Sequence, residues 1–312
     1  MTLAAARITL RLHRFEVLAF GGLTLLGLGL AWLVAGRLDA LGFDGRCLAP
    51  TGPIPASCEA AMNAFYEIVN SEAGKVTPIT TFVPFLAGLL LGVPIVGREL
   101  ERGTTRLAWA LTPSRMTWLA QRLVPVLLFV AAVGLLSGAA ADRLLASTEP
   151  GTDPANAFSQ FGFRGPVLAA RAVFVFGLAL LIGTVMGRAL PALIVAGLLA
   201  VVGITGGATV HDRMLLAEAV ELPEFRPGDR PIDYRFRAPD GRLITWDEME
   251  RIDPPPTHVD TSGDWPRMPQ VALGIPGTRY GEVQVREIGV LAGGSLLAIA
   301  GTALIVQRRR PG

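Results

Sequence analysis

Six apolar runs dominate this chain, and each has the roughly 20 residues that a helix needs to cross the hydrocarbon core of a bilayer. Their cores are Val17–Gly36, Thr77–Gly97, Leu123–Ala141, Val167–Gly187, Ala189–Thr209 and Ile288–Val306. Lipid offers no hydrogen-bond partner to backbone N–H and C=O groups, so each run must bond within itself and form a helix. Composition agrees: 51% of residues are hydrophobic and only 17% charged, with a mean hydropathy of +0.47. Those values belong to membrane proteins. The expected fold class is an all-α polytopic membrane protein with six transmembrane helices. Only Arg188 separates runs four and five, which predicts a tight helical hairpin.

The placement of charge gives the orientation. Arg7, Arg11 and Arg14 precede the first run, and Arg98, Arg102, Arg106, Arg115 and Arg122 lie between runs two and three. Arg188 follows the fourth run, and Arg308, Arg309 and Arg310 follow the sixth. The opposite short loops are poorer, with Arg37, Arg46 and Lys75 in one and Arg143 and Arg164 in the other. The positive-inside rule therefore predicts a multi-pass protein of the cytoplasmic membrane with both termini cytosolic. The chain divides into residues 1–209 (helices one to five, with a basic cytosolic segment at 98–122), an extracytoplasmic insertion at 210–287, and residues 288–312 (helix six and a basic tail). The first run is too long for a signal-peptide core and no Ala-x-Ala site follows it at Val34–Gly36, so it reads as a retained helix.

Several functions are excluded by what is missing. The single lysine, Lys75, is followed by Val76. A phosphate-binding P-loop needs Gly-Lys followed by Ser or Thr, so no such loop exists here and no cofactor is expected in this chain. The apolar runs lack the buried carboxylates or histidines that ion-driven carriers use. Arg171 is expected to snorkel from the outer end of run four. Ser137, in GLLSG, has the wrong spacing for a protease nucleophile and reads as helix packing. Energy for uphill transport would have to come from another chain. Cys47 and Cys58 share the first outside loop, where an oxidising compartment favours a disulfide over two free thiols. Such a ring is worth about 3 kcal/mol by chain entropy. His13, His211 and His258 are scattered, so no zinc pattern is present. Glycine pairs at i, i+4 (Gly134/Gly138, Gly183/Gly187, Gly289/Gly293) predict close helix packing.

The segment RELERGTTRLAWALTPSRMTWLAQR, Arg98 to Arg122, is the least generic part of the chain. Leu100, Leu107, Ala108 and Leu111 fall on one helical stripe, which predicts an amphipathic surface helix from about Glu99 to Leu111. Thr112-Pro113-Ser114 breaks it, with Thr112 a candidate cap and Pro113 a candidate first residue of the next helix. The alternative is a plain basic connector, with Trp109 and Trp118 as interfacial belt aromatics.

Glu101-Arg102-Gly103-Thr104, Arg106-Leu107-Ala108-Trp109, Ser114-Arg115 and Trp118-Leu119 resemble the loop between spans two and three of ABC-transporter permeases of the exporter (type 2) class, in the actinobacterial form. The resemblance implies a membrane-spanning permease subunit without enzyme activity of its own. It would be driven by a separate cytosolic ABC ATPase that carries ATP and Mg. A homodimer or a second permease subunit, membrane lipid, and no nucleic acid complete the implied partners. The implied ATPase-coupling residues are Glu99, Glu101, Arg102, Gly103, Thr104, Arg106, Trp109, Pro113, Ser114 and Arg115. Gly103 would allow close approach or a bend. Glu101 would pair with a basic ATPase residue, and Arg115 would grip carboxylates or carbonyls through its planar fork. Related loops often have lysine just before span three, where this chain has Gln121-Arg122.

The insertion at 210–287 reads as a small α+β unit. His211–Glu221 suggests an amphipathic helix with Met214, Leu215 and Val220 on one side. Tyr234-Arg-Phe-Arg and Leu243-Ile-Thr-Trp246 flank Asp240-Gly241, a hairpin signature. Tyr234, Trp246 and Trp265 suit the insertion's own core better than a binding role, and Asp247, Glu248 and Glu250 suit a solvated helix face. His211-Asp212 and His258/Asp260 are weak candidates for a metal or catalytic pair. Two rival functions are a membrane sensor or scaffold with an extracytoplasmic ligand-binding cap, and a membrane enzyme acting on lipid or cell-wall precursors.

Overall fold

The computed structural model describes residues 9–43, 47, 56–110, 112–222, 226–254 and 268–309, without the side chains of residues 56, 57, 106, 108 and 208. Arg7, Arg46, Leu111, His258, Asp260, Trp265 and Arg310 lie outside the described residues. The chain forms two compact units: residues 1–151, 160–203 and 283–312 make the first, and residues 152–159 and 204–282 the second.

Helix α1 is Arg14–Ala40. Helix α2, Ala56–Ile68, passes through a π-helical turn, Val69–Ala73, into α3, Gly74–Gly92. Next come α4, Pro94–Glu101, α5, Thr105–Ala110, and α6, Arg115–Thr148. Helices α7, Gly165–Met186, and α8, Ala189–Leu216, form the hairpin expected around Arg188. Gly187 ends α7 with φ +61°, a left-handed cap that favours glycine. Helix α9, Trp246–Ile252, belongs to the second unit, and α10 is Tyr280–Arg308.

Among the described residues six helices are long and apolar enough to cross a membrane: Arg14–Ala40, Cys58–Glu101, Arg115–Thr148, Gly165–Met186, Ala189–Leu216 and Gly277–Arg308. We refer to them as spans one to six. They match the six expected runs, and all but span four extend beyond the apolar core by several residues because the polar flanks continue the helix.

Spans two, three and four form the centre of the first unit. Leu91, Ile95, Leu119, Val126, Val130, Phe176 and Leu180 are buried there. Small residues set the helix separation. A Cβ added at Gly138 would stand 2.2 Å from the Gly165 carbonyl oxygen, and one at Gly134 2.5 Å from the Ala169 Cα. Gly183 meets the Val93 backbone in the same way, at 2.6 Å. The expected pairing at Gly289/Gly293 does not occur: a Cβ at either position would meet nothing within 4 Å.

The end of the bundle remote from the termini is joined by ion pairs. Arg37 pairs with Glu72, and Arg143 with Asp39, which also accepts a bond from Ser147 at 2.8 Å. Arg164 donates to Asp142 at 2.7 Å. Arg171 does not snorkel outward: it is 13% exposed and its Nε donates to Glu287 at 2.9 Å. The apolar core of run six begins at Ile288, but the helix begins at Tyr280. It therefore carries Glu287 into the bundle, and a charge paired there avoids the cost of burial alone. In the same unit the Cys47 and Cys58 sulfurs are bonded at 2.06 Å, with Cα atoms 5.6 Å apart.

The second unit holds a four-stranded antiparallel sheet in the order β1-β4-β2-β3, with β1 Val220–Leu222, β2 Arg230–Arg237, β3 Leu243–Ile244 and β4 Gln270–Ile275. The predicted hairpin is present: Phe236 pairs with Ile244, and Gly241 turns the chain with φ +84°. Its second arm is shorter than expected. Thr245 leaves the strand to cap α9 in a reciprocal capping box with Glu248. The expected helix over His211–Glu221 is instead the end of α8 followed by β1, so Leu215 is buried while Met214 and Val220 are exposed. Trp246 packs edge-on against Phe236 at 5.3 Å, beside a core of Phe236, Ala238, Ile244 and Met249. Tyr234 is half exposed. Asp212 pairs with Arg230. Among the described residues no cluster of three or more His, Cys, Asp or Glu could hold a metal ion.

Candidate functional site

The distinctive segment lies at the end of the first unit that carries the termini. Thr9 Oγ1 donates to the Gln121 carbonyl at 3.3 Å, and Arg98 reaches Glu16 at 3.4 Å. The segment is not one amphipathic helix. Helix α4 stops at Glu101, and the Thr104 and Gly103 amides bond back to the Glu99 and Leu100 carbonyls, both at 3.2 Å. This is a Schellman stop, and Gly103 supplies its left-handed residue with φ +68°. A Cβ at Gly103 would meet nothing of the described chain within 4 Å; of its two expected uses the bend is realised. Helix α5 then runs from Thr105, which is buried.

The following break is also placed differently from expectation. Ser114, not Thr112, caps α6: its Oγ accepts the Thr117 amide at 3.0 Å. Pro113 therefore precedes the cap and is not the first helical residue. Trp118 is 3% exposed and meets Trp109 edge-on at 6.2 Å. Arg115 stacks over Trp109 at 4.4 Å and Arg122 over Trp118 at 5.1 Å. These two indoles are packed into the protein, so the belt reading fails for them.

The charged residues form a set of ties to other spans. Glu99 pairs with Arg122 at the start of span three. Glu101 Oε2 accepts the Ala189 amide at 3.1 Å, placing a carboxylate on the N-terminus of span five, where the helix dipole favours it. Arg115 Nη1 donates to the Val306, Gln307 and Arg309 carbonyls at 3.3, 2.9 and 2.8 Å. It thereby occupies the orphan acceptors at the C-terminus of span six. Arg309 Nη1 donates in turn to the Thr184 carbonyl, near the end of span four, at 2.7 Å. Glu101 and Arg115 thus have partners within this chain.

What the segment leaves open is its tip. Arg102, Gly103, Thr104, Leu107, Ala110, Pro113 and Ser114 are exposed, Leu107 at 65%, and Glu101 beside them is exposed as well. Arg106 lies in α5, with its side chain outside the described residues.

Sequence comparison decides what kind of protein carries this arrangement. The profile of the family described as "ABC-2 membrane transporter related" matches residues 21–210, more than half of the chain. The chain belongs to this family. The matched stretch takes in span one from Gly21, spans two, three and four, nearly all of span five, and the whole 98–122 segment. No curated protein and no solved structure matches the chain. Membership makes this ABC-2 protein a multi-pass transport permease. Sequence reasoning missed Glu16, Arg122, Arg309 and the Ala189 amide as members of the site. In the sequence Arg122 and Arg309 read as inside charge, Arg122 also as the basic residue before span three, and nothing local marks either as a tie between helices.

Proposed function

We propose that this ABC-2 family chain is the permease subunit of an ATP-binding-cassette exporter in the cytoplasmic membrane, of the actinobacterial form. The end bearing residues 98–122 and both termini faces the cytosol. A separate ABC ATPase, holding ATP and Mg, docks there, and the chain works as a homodimer or beside a second permease. The chain itself contributes no catalytic residue, and lipid surrounds its spans.

One observation carries this reading. A single short segment has an exposed tip at Arg102–Thr104, Leu107 and Pro113–Ser114, while its charged residues hold the ends of spans five and six through Glu101 and Arg115. A force applied to the tip reaches both helices through hydrogen bonds. The labour therefore divides: the tip receives the ATPase and Glu101 and Arg115 transmit its movement. This differs from a role for Glu101 and Arg115 as direct ATPase contacts.

The test separates the two roles. Arg102→Ala with Leu107→Ala should lower recovery of the ATPase with the permease severalfold. Arg115→Met should leave recovery unchanged but lower transport per ATP hydrolysed, because span six is released. Normal assembly and transport in the tip variant would overturn the docking surface. Loss of ATPase recovery in Arg115→Met, with the fold intact by circular dichroism, would overturn the transmitting role.

A further inference from the structure

At the end of the first unit remote from the termini, a cavity of about 300 Å³ opens between the π-helical turn of span two and the last turns of span three. That volume is at the lower bound of sites that hold organic ligands. Its wall is amphipathic. Asn70, Thr77, Thr80, Thr148 and Gln160 supply amide and hydroxyl groups, and Ala141, Leu144 and Leu145 supply an apolar side. Asn70, Gly74 and Gln160 are exposed, so the cavity opens on their side.

Two backbone irregularities meet at this wall. The turn Val69–Ala73 is π-helical within an otherwise α-helical span, a feature that recurs at functional sites. Gln160 has φ +52°, and no other non-glycine residue among those described has positive φ. Such a conformation is held only where the surroundings impose it, and it clusters at ligand sites. Here it sits in a turn closed by the Phe163 amide on the Gln160 carbonyl at 3.0 Å.

The hydrogen-bond pattern states what would fit. Thr77 Oγ1 donates to the Ala73 carbonyl at 3.0 Å, Thr80 Oγ1 to the Thr77 carbonyl at 3.0 Å, and Thr148 Oγ1 to the Leu145 carbonyl at 3.3 Å. With their protons engaged, these hydroxyls offer acceptors, while the Asn70 and Gln160 amides offer donors and acceptors. Among the described residues no ionisable side chain lines the cavity, so a charged guest would lose hydration without a counter-charge. A purely apolar guest would leave the amides and hydroxyls unmatched. We propose that this cavity binds a neutral amphiphile through a hydroxyl- or amide-bearing head, its tail lying along Leu144 and Leu145. The proposal does not depend on docking of an ATPase.

The experiment uses the full chain, alone, in lipid nanodiscs. The probe is a photoactivatable alkyl glucoside with the diazirine on its tail, with labelled residues mapped by mass spectrometry. Competitors, below their micelle concentrations, are octyl glucoside, octyl sulfate, octyltrimethylammonium and methyl glucoside. We expect saturable labelling confined to residues 69–80 and 141–148. Octyl glucoside should displace it at least tenfold better than the two charged amphiphiles or the tailless sugar. Ala141→Phe, which fills the cavity, should abolish the labelling, and Gln160→Leu, at the exposed rim, should weaken it severalfold. Leu198→Phe, on the exposed apolar face of span five, should leave it unchanged. Labelling spread evenly over all spans would overturn the site. Equal displacement by the charged amphiphiles would overturn neutrality, and equal displacement by methyl glucoside would overturn the need for a tail. Undiminished labelling in both Ala141→Phe and Gln160→Leu would overturn the location.

Discussion

Gly103 shows how a residue type can announce a local event. A glycine inside a run of helix formers marks a stop, and the left-handed φ of +68° makes that stop specific. Gly103→Ala should cost about 1–2 kcal/mol, the penalty for placing a Cβ in that region. It should lower the thermal unfolding midpoint of the purified chain, with Gly103→Asn less affected. Ser114→Ala removes the cap on the Thr117 amide and should cost about 1 kcal/mol by the same measurement. Arg115 is the contrasting case. Its residue type was suited to gripping carbonyls, but nothing near it in the chain named those of residues 306, 307 and 309. A guanidinium finds its partners by where the fold puts them.

At the scale of elements, the pairing of helices depends on a few backbone approaches. Gly138→Val would drive a branched side chain into the Gly165 carbonyl, where even a Cβ stands at 2.2 Å. The expected result is overpacking worth about 1–3 kcal/mol or more, read as a lowered midpoint or as failure to purify as a single species. Gly289→Val, at a position with open space, should be nearly silent. In the second unit, α9 depends on its capping box. The Thr245 backbone amide, with its hydroxyl in support, holds the Glu248 carboxyl below the usual carboxylate range. A depressed folded pKa contributes stability above the unfolded value and loses it as pH falls through the folded one. Protection of the α9 amides, measured by hydrogen exchange and corrected for intrinsic rate, should be level from neutral pH to the ordinary glutamate range. Below that range it should fall. Glu248→Gln should lack this step, and an identical pH response in that variant would assign the effect elsewhere.

For the whole molecule, the spans divide by how much of each the chain itself covers. Within an apolar 18-residue stretch of each, buried shares are 61%, 50% and 67% in spans two, three and four, against 28%, 17% and 17% in spans one, five and six. The first group is the structural centre, and the second presents its apolar surface outward. Trp32 on span one is half exposed and Trp118 on span three is 3% exposed. In single-tryptophan variants reconstituted with brominated lipid, Trp32 fluorescence should be quenched severalfold more than that of Trp118. Equal quenching would contradict this division.

The apolar runs alone determined that six helices cross the membrane, because a chain in lipid must satisfy its backbone locally and local pattern suffices to say where. The same is true of the Arg188 hairpin, the Asp240-Gly241 turn and the missing P-loop, each of which is spelled by adjacent residues. Tertiary structure alone decided that Glu101 holds span five, that Arg115 and Arg309 tie spans six and four, and that Arg171 meets Glu287. It also decided that Trp118 faces the interior and that Gly289 meets none of the described residues of this chain. These are contacts between segments far apart in the chain, and their partners become neighbours only when the helices assemble.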